Sequence, residues 1–251
     1  MSGLPEPTVV ITEEQIAFYH REGYLAIDQI TTSEEVIYLQ EAYDRIFEQR
    51  VGHDVGDEFD LVGQDKDGQP PKLPQIVEPR NYASEFRNTQ YEANAMAIAK
   101  QLLGEGVIQR GSHAIFKPAH YGAHTPWHQD EAYWNPSKNY HSVSIWMPLQ
   151  EATLENGCMQ FIPKSHSLDV LPHHKIGHDP KVIGLEVDDG YVDDSMAVAC
   201  PIPAGGATFH GGRMLHYAGP NPSAVPRRAY ILMFAVLLPP FEVARNFYWQ
   251  K

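Results

Sequence analysis

An imidazole and a carboxylate stand two residues apart in the stretch Thr125-Pro126-Trp127-His128-Gln129-Asp130. In an extended strand, residues i and i+2 point to the same face of the sheet, so the side chains of His128 and Asp130 can reach one ion together. The pair therefore predicts half of a metal site, carried by a β-strand.

A third ligand must come from another strand, and the sequence offers His210 and His216, which have the same strand parity. Arg227 follows His216 by eleven residues, after the turn at 219–222, whereas Asn221 stands at that interval after His210. A guanidinium can hold the far carboxylate of a dicarboxylate cosubstrate whose other end chelates the metal. We therefore favour His216, with His210 as the alternative.

Two histidines and one carboxylate on one face of an ion, with the other positions open, are typical of non-heme Fe(II) oxygenases. The sequence lacks the motifs of two other enzyme classes. No glycine-rich nucleotide loop of the dinucleotide or phosphate-binding type follows a strand, and no Gly-x-Ser-x-Gly elbow occurs. These observations argue against hydride transfer from a nicotinamide and against serine hydrolysis.

The composition predicts one globular domain over residues 1–251, with 43% hydrophobic and 20% charged residues. Nineteen Lys and Arg residues stand against 32 Asp and Glu residues, so the formal net charge is -13. Such a surface repels phosphate backbones and anionic lipids, so we expect neither nucleic acid nor membrane partners. A small anionic substrate is still compatible, because a local arginine can bind a carboxylate. The sequence does not determine an oligomeric state.

The cysteine content indicates a reducing compartment. Cys158 and Cys200 are the only cysteines, and a buried-thiol role fits them better than a disulfide. The chain shows no basic-then-apolar N-terminal signal and no apolar run of about 18 residues. We therefore expect a cytoplasmic protein.

The N-terminal part is predicted to be helical, over about residues 12–103. A first helix begins at the N-cap candidate Thr12 and ends at Gly23, a second begins at Ser33, and a third spans about 91–103. Residues 51–72 are rich in Gly, Asp, Gln and Pro and predict a long loop, either a lid or a disordered segment.

The remainder, about residues 107–238, predicts eight short strands. They are placed near 107–116, 122–129, 141–149, 157–162, 196–202, 206–210, 213–218 and 227–238. Eight short strands after a helical start indicate a mainly β fold with bracing α-helices, a double-sheet jelly roll.

Several further motifs, taken together in their order along the chain, resemble those of a known family. They are Lys117-Pro118, Trp127 before His128-Gln129-Asp130, Trp146 with Pro148-Leu149, Glu155-Asn156-Gly157-Cys158-Met159, Pro163-Lys164-Ser165-His166, and His216 with Gly219-Pro220-Asn221 and Arg227. In this order, over about residues 10–238, the chain resembles the phytanoyl-CoA dioxygenase family of Fe(II)/2-oxoglutarate-dependent oxygenases. The set is specific, although each motif alone is weak.

The resemblance implies a cupin-like double-stranded β-helix that holds Fe(II) through His128, Asp130 and His216. It also implies that Arg227 binds the far carboxylate of 2-oxoglutarate and that Trp146 lies beside this cosubstrate. The implied reaction uses O2, releases succinate and CO2, and oxidises a small-molecule substrate, most simply by hydroxylation.

Some positions depart from the family pattern or compete with an assigned residue. Ala218 stands where many members carry a small hydroxyl residue that binds the cosubstrate, and His113 where relatives often have a neutral cosubstrate contact. Arg228 competes with Arg227, but only one of two adjacent strand residues can point inward. Related halogenases replace the metal-binding carboxylate with a small residue, so the presence of Asp130 disfavours halogenation.

Candidates for the substrate pocket are Lys117, Tyr133, Trp134 and Arg213. Each also has a simpler interpretation, as a core aromatic residue or as an outward, solvated cation. The histidines at 172–178 are predicted to lie on a surface loop or a substrate-facing lid rather than to bind metal. Two other functions remain open at this point: a non-catalytic jelly-roll module that binds a sugar or metabolite, and a cupin-like enzyme without a cosubstrate.

Overall fold

The computed structural model describes residues 3–63 and 70–250. Its helices are α1 (Glu13–Glu22), α2 (Ser33–Glu48) and α3 (Gln90–Leu103). Its strands are β1 (Tyr24–Ile27), β2 (Glu58–Asp60), β3 (Pro74–Val77), β4 (Ile108–Lys117), β5 (Thr125–His128), β6 (Tyr140–Pro148), β7 (Met159–Phe161), β8 (His173–Lys175), β9 (Leu185–Val187), β10 (Val198–Cys200), β11 (Ala207–His210), β12 (His216–Ala218) and β13 (Arg227–Leu237).

The strands form two facing sheets. The major sheet has the order β1-β11-β6-β13-β4-β3-β2, and the minor sheet has the order β10-β7-β12-β5. All pairings are antiparallel, and β8 pairs with β9 as a separate hairpin. This arrangement confirms the predicted jelly roll, because sheets of this kind pack face to face around a core.

Local capping positions the helices that brace the major sheet. The Thr12 hydroxyl accepts from the backbone N–H of Gln15, whose side chain accepts from the Thr12 backbone N–H, and Gly23 ends α1 with a φ of +87°. Buried Tyr91 of α3 donates to the carbonyl of Ile145 in the sheet at 2.7 Å. None of the helices in the described ranges is long and apolar enough to cross a membrane.

All eight predicted strands are present, as β4 to β7 and β10 to β13. The structure adds β1, β2, β3, β8 and β9, each of only three or four residues. β1, β2 and β3 lie in the part predicted as helices and loop, and β8 and β9 lie in a polar stretch between predicted strands, so their pairing partners rather than their own residues mark them as strands. The loop predicted at 51–72 contains one of them, β2, and its residues 64–69 lie outside the described residues.

Candidate metal centre

The two predicted histidine ligands face each other across the minor sheet. His128 ends β5, His216 begins β12, and the two residues are paired in register with ring centroids 4.1 Å apart. Asp130 follows two residues after His128, and its Oδ1 lies 3.8 Å from Nε2 of His128 and 3.5 Å from Nε2 of His216. Within residues 3–63 and 70–250, this is the only group of three or more His, Cys, Asp or Glu side chains that could hold one metal ion.

Backbone carbonyls orient both imidazoles. Nδ1 of His128 lies 2.8 Å from the carbonyl oxygen of Pro126, and Nδ1 of His216 lies 2.9 Å from that of Met214. A carbonyl oxygen can only accept, so Nδ1 carries the proton and the Nε2 lone pair faces the centre. Burial lowers the pKa of His128 to about 3, which keeps this imidazole neutral at physiological pH.

The two oxygens of Asp130 have different surroundings. Oδ1 faces the imidazoles, whereas Oδ2 accepts from the Ser144 hydroxyl at 2.7 Å and lies 3.4 Å from Nε2 of His210. Burial alone would raise the pKa of Asp130, but the neighbouring imidazoles of His216 and His210 outweigh it and hold this pKa well below its usual value. The side chain is therefore a carboxylate with one oxygen directed toward the histidine pair.

His210, the alternative third ligand, lies beside this group. It ends β11 in the major sheet and pairs in register with Ser144. Its ring is 2% exposed, and neither ring nitrogen has a hydrogen-bond partner among the described residues. Its contact is to the outer oxygen of Asp130, so the geometry groups His216, not His210, with the pair.

Arg227 points into the barrel, as alternation along the strand predicted for one of the two arginines. It is 1% exposed, its Nε has no partner among the described residues, and its Nη1 donates to the carbonyl of Ile115 at 3.4 Å. Its guanidinium lies 5.4 Å from the ring centroid of Trp146. Arg228 points the other way and binds Asp44 through two hydrogen bonds of 2.6 and 2.8 Å.

One cavity brings the predicted metal and cosubstrate residues together. Its lining includes His128, Asp130, His216, Arg227, Trp146 and His113. Two imidazole nitrogens and one carboxylate oxygen are a donor set that suits Fe(II). Burial lowers the pKa of Arg227 to about 10, so it is still a cation at neutral pH with donors left for a carboxylate. The residues present therefore fit both iron and 2-oxoglutarate.

Thr125 also lines this cavity, and the sequence interpretation missed it. It lies opposite Ala218 on the neighbouring strand, and its hydroxyl accepts from Nζ of Lys117 at 3.2 Å. Because the hydroxyl oxygen accepts there, its own hydrogen is free to donate elsewhere. The available signal was Ala218, which stands where many family members have a hydroxyl residue. A replacement hydroxyl could be expected on the neighbouring strand β5, which pairs with β12.

The two cations predicted as pocket candidates are already satisfied. Lys117 is fully buried, and its ammonium donates to the carbonyls of Ala123 and Ala218 at 2.6 and 3.2 Å as well as to Thr125. Arg213 is half-buried, and its Nε lies 3.4 Å from the carboxylate of Glu131. Neither residue is part of the cavity lining described above.

The two predicted aromatic residues also lie outside that lining. The Tyr133 hydroxyl accepts from the backbone N–H of Leu185 at 2.6 Å, and its ring meets the His128 ring edge-on with centroids 6.1 Å apart. Trp134 lines a different pocket, next to Ser142 on the major sheet.

Gln129, between the two predicted ligands, is fully buried and fastens a neighbouring segment to the site. Its backbone N–H donates to Nε2 of His173, and its side-chain oxygen accepts from the N–H of Leu171 at 2.7 Å. Burial lowers the pKa of His173 to about 4. The prediction of a surface loop at 172–178 is therefore wrong for His173, which is buried at the start of β8, whereas His174 and Lys175 are partly exposed.

This fold and this site define the class of Fe(II)/2-oxoglutarate-dependent dioxygenases. The phytanoyl-CoA dioxygenase (PhyH) family model matches residues 19–229, and the chain belongs to that family. It is therefore a non-heme oxygenase that depends on Fe(II), 2-oxoglutarate and O2. The matches favour the oxygenase over the non-catalytic binding module.

Individual relatives agree with this assignment. The chain is 29% identical over 225 residues to a probable alpha-ketoglutarate-dependent hypophosphite dioxygenase from Stutzerimonas stutzeri, which covers 88% of this chain and 78% of that protein. It is 37% identical to EvdO2 from Micromonospora carbonacea var. aurantiaca, solved in complex with 2-oxoglutarate, with a TM-score of 0.82 over 98% of this chain and 99% of that one. EctD from S. alaskensis with bound Fe shares the fold at 22% identity and a TM-score of 0.73, over 95% of this chain and 83% of that one.

Proposed function

We propose that this protein oxidises a small-molecule substrate, most simply by hydroxylating a C–H bond, while 2-oxoglutarate is converted to succinate and CO2. The observation that carries the proposal is the single cavity that joins the His128, Asp130 and His216 group to the guanidinium of Arg227, whose Nε has no partner among the described residues. Relatives named for hypophosphite and ectoine support a small substrate.

His128, Asp130 and His216 would hold the ferrous ion through Nε2, Oδ1 and Nε2. Bound iron with 2-oxoglutarate and O2 supplies the oxidising power for C–H cleavage. The chain contributes a fixed geometry. Both imidazoles are locked by backbone carbonyls, and Ser144 occupies the outer oxygen of Asp130. A carboxylate held in this way would offer a single oxygen, Oδ1, to the metal.

Arg227 would bind the far carboxylate of 2-oxoglutarate by a charge-assisted hydrogen bond from its unpaired Nε and neighbouring nitrogens. Trp146 supports the guanidinium from one side. Thr125 would supply the hydroxyl donor that Ala218 lacks. His113 lines the same cavity, and because burial lowers its pKa, it would meet the cosubstrate as a neutral imidazole.

The cysteines support a cytoplasmic location, as proposed from the sequence. Cys158 and Cys200 are both buried and both free thiols. Burial raises the pKa of each thiol, to about 11 and about 12, so neither is reactive as a thiolate at neutral pH. Unpaired, inert thiols suit a reducing compartment.

An anaerobic titration tests the proposed function directly. Addition of 2-oxoglutarate to the Fe(II)-loaded protein should produce the lilac absorption of the chelate, and exposure to O2 should then yield succinate. Asp130→Ala is the matched variant, since it removes one ligand and leaves both imidazoles. If the wild type gives neither the absorption nor succinate, or if Asp130→Ala gives both at the wild-type level, the proposal is wrong.

A further inference from the structure

A second pocket adjoins the candidate metal centre along the inner face of the major sheet. Ser144, which binds Asp130, is two residues from Ser142 on β6, and Ser142 lines this pocket. Met233 pairs in register with Ser144 and lines the same pocket. Two residues of a strand span about 7 Å, so the pocket begins within one small molecule's length of the metal ligands.

An irregularity in β4 places Arg110 at the edge of this pocket. On β13 the consecutive residues Met233 and Phe234 pair with Gly111 and Gln109, so Arg110 is left without a partner in the register. Such a β-bulge changes the direction of the extra residue. By regular alternation, position 110 would lie on the face opposite that of His113 and would point away from the cavity. The bulge brings it to the lining of the pocket beside Met233.

Arg110 is exposed at the opening of the pocket, and its guanidinium forms no hydrogen bond or ion pair with any described residue, although it lies in a chain with a net charge of -13. Its situation differs from that of Arg213, which pairs with Glu131, and from that of Lys117, whose ammonium has three oxygen acceptors. No Asp or Glu occurs among the described residues that line the pocket. The pocket therefore presents one uncompensated positive charge.

The other walls are aromatic or neutral polar. The Trp134 ring meets that of Tyr140 edge-on at 4.9 Å and packs against Gly212, where a Cβ atom would come within 2.8 Å of the indole. Asn135 adds an amide to the lining. The pocket has a volume of about 210 Å³, which is below the roughly 300–1,000 Å³ of complete small-molecule sites. It can therefore hold one end of a substrate whose other end lies at the metal.

We propose that this Arg110 pocket binds an anionic end group of the substrate, a carboxylate or a phosphate, and that Arg110 is a specificity-determining residue. The planar fork of a guanidinium matches both groups through two parallel hydrogen bonds. Arg110 follows Gln109 and precedes Gly111, which pairs with Met233 and through it with Ser144. Two strand spacings, about 10 Å, therefore separate Arg110 from the strand position whose side chain binds Asp130, and this span sets the distance between the anion and the oxidised carbon. This proposal rests on the proposed function.

Binding of probe anions tests the proposal without knowledge of the substrate. The Fe(II)-loaded protein is kept anaerobic and saturated with 2-oxoglutarate, so that Arg227 is already occupied. Benzoate, phenyl phosphate and the neutral analogue benzamide are then titrated by calorimetry into the wild type, Arg110→Gln, Arg110→Lys and the matched control Arg213→Gln. At least one anion should bind the wild type tenfold or more tightly than it binds Arg110→Gln, and benzamide should not distinguish the two proteins.

Partial retention in Arg110→Lys and full retention in Arg213→Gln would support the proposal, and the preferred anion would separate carboxylate from phosphate. The proposal would be overturned if neither anion bound the wild type, if Arg110→Gln left binding unchanged, or if Arg213→Gln weakened it as much. The lilac absorption measured before any anion is added tests the proposed function separately. Its absence would therefore be distinguishable from a failure of the pocket.

Discussion

The two sheets of the barrel contribute different parts of the site. The minor sheet carries His128 and His216, and each imidazole is oriented by a carbonyl two residues earlier in its own chain segment. The major sheet carries no member of the triad, but its Ser144 and His210 approach the outer oxygen of Asp130. It also carries Arg227, as well as Arg110 in the neighbouring pocket.

This difference separates ligands from the groups that position them. The ligand pair and its orientation are local, since short sequence intervals and own-chain carbonyls produce them. The positioning of Asp130 and the proposed binding of the cosubstrate depend on long-range contacts, because the residues involved lie on strands that only the fold brings opposite the minor sheet. Variants on the minor sheet should therefore remove the metal, whereas variants on the major sheet should weaken or misalign what is bound.

The largest effect is expected on the minor sheet. His128→Ala or His216→Ala removes one of three ligands, and we expect Fe(II) affinity to fall by more than about 100-fold, since loss of a mere supporting residue costs roughly 10–100-fold. Succinate formation should fall to background. Equilibrium binding of Fe(II) under anaerobic conditions measures the loss of affinity. His166→Gln serves as the histidine control away from the site. If either alanine variant bound Fe(II) with wild-type affinity, the substituted histidine would not be a metal ligand.

The next effect belongs to the major sheet and concerns the cosubstrate. Arg227→Gln removes a charge-assisted contact worth about 2–3 kcal/mol, so the KM for 2-oxoglutarate should rise about 30-fold or more. Fe(II) affinity should stay within twofold.

Arg228→Gln is the matched control, because its guanidinium points outward to Asp44. Steady-state kinetics with varied 2-oxoglutarate measures both variants. An equal rise in KM for the two would contradict the inward role of Arg227.

A smaller effect is expected for the groups that hold Asp130. Ser144→Ala removes a 2.7 Å hydrogen bond to Oδ2, and His210→Phe removes the imidazole beside the same oxygen. Each should weaken Fe(II) binding by about tenfold and shift the absorption of the 2-oxoglutarate complex, with folding unchanged in thermal melts. If both variants bind iron as the wild type does, the major sheet has no part in positioning the carboxylate.

The smallest effect tests the exchange of a hydroxyl between strands. Thr125→Val should raise the KM for 2-oxoglutarate about fivefold, the equivalent of one hydrogen bond of about 1 kcal/mol. Ala218→Ser introduces a hydroxyl on the strand opposite and should restore most of that loss in the double variant. Kinetics of the two single variants and the double variant measure the coupling. Strictly additive effects would mean that the two positions do not serve the same contact.

Three local signals accounted for much of the fold. The capping box at Thr12 and the helical spacing of apolar residues placed the helices, and short β-like runs between Gly, Pro, Asn and Asp residues placed eight strands. The strands β1, β2, β3, β8 and β9 escaped because their pairing, not their own pattern, makes them strands. The burial of His173 was missed for the same reason, since a polar residue becomes interior only when a partner such as Gln129 contacts it.

The site divides along the same line. The interval from His128 to Asp130 and the arginine after His216 are sequence properties, because a strand's alternation directs such side chains to one face whatever surrounds them. Which cation is left free is a tertiary property. The sequence alone does not distinguish four basic residues: Lys117, Arg213, Arg227 and Arg110. In the fold, Lys117 and Arg213 have oxygen acceptors, whereas Nε of Arg227 has no partner among the described residues. Arg110 lies at a β-bulge. The physical reason is that the residue type of a side chain is given by the sequence, whereas its burial and its hydrogen-bond partners depend on groups that are distant in the chain.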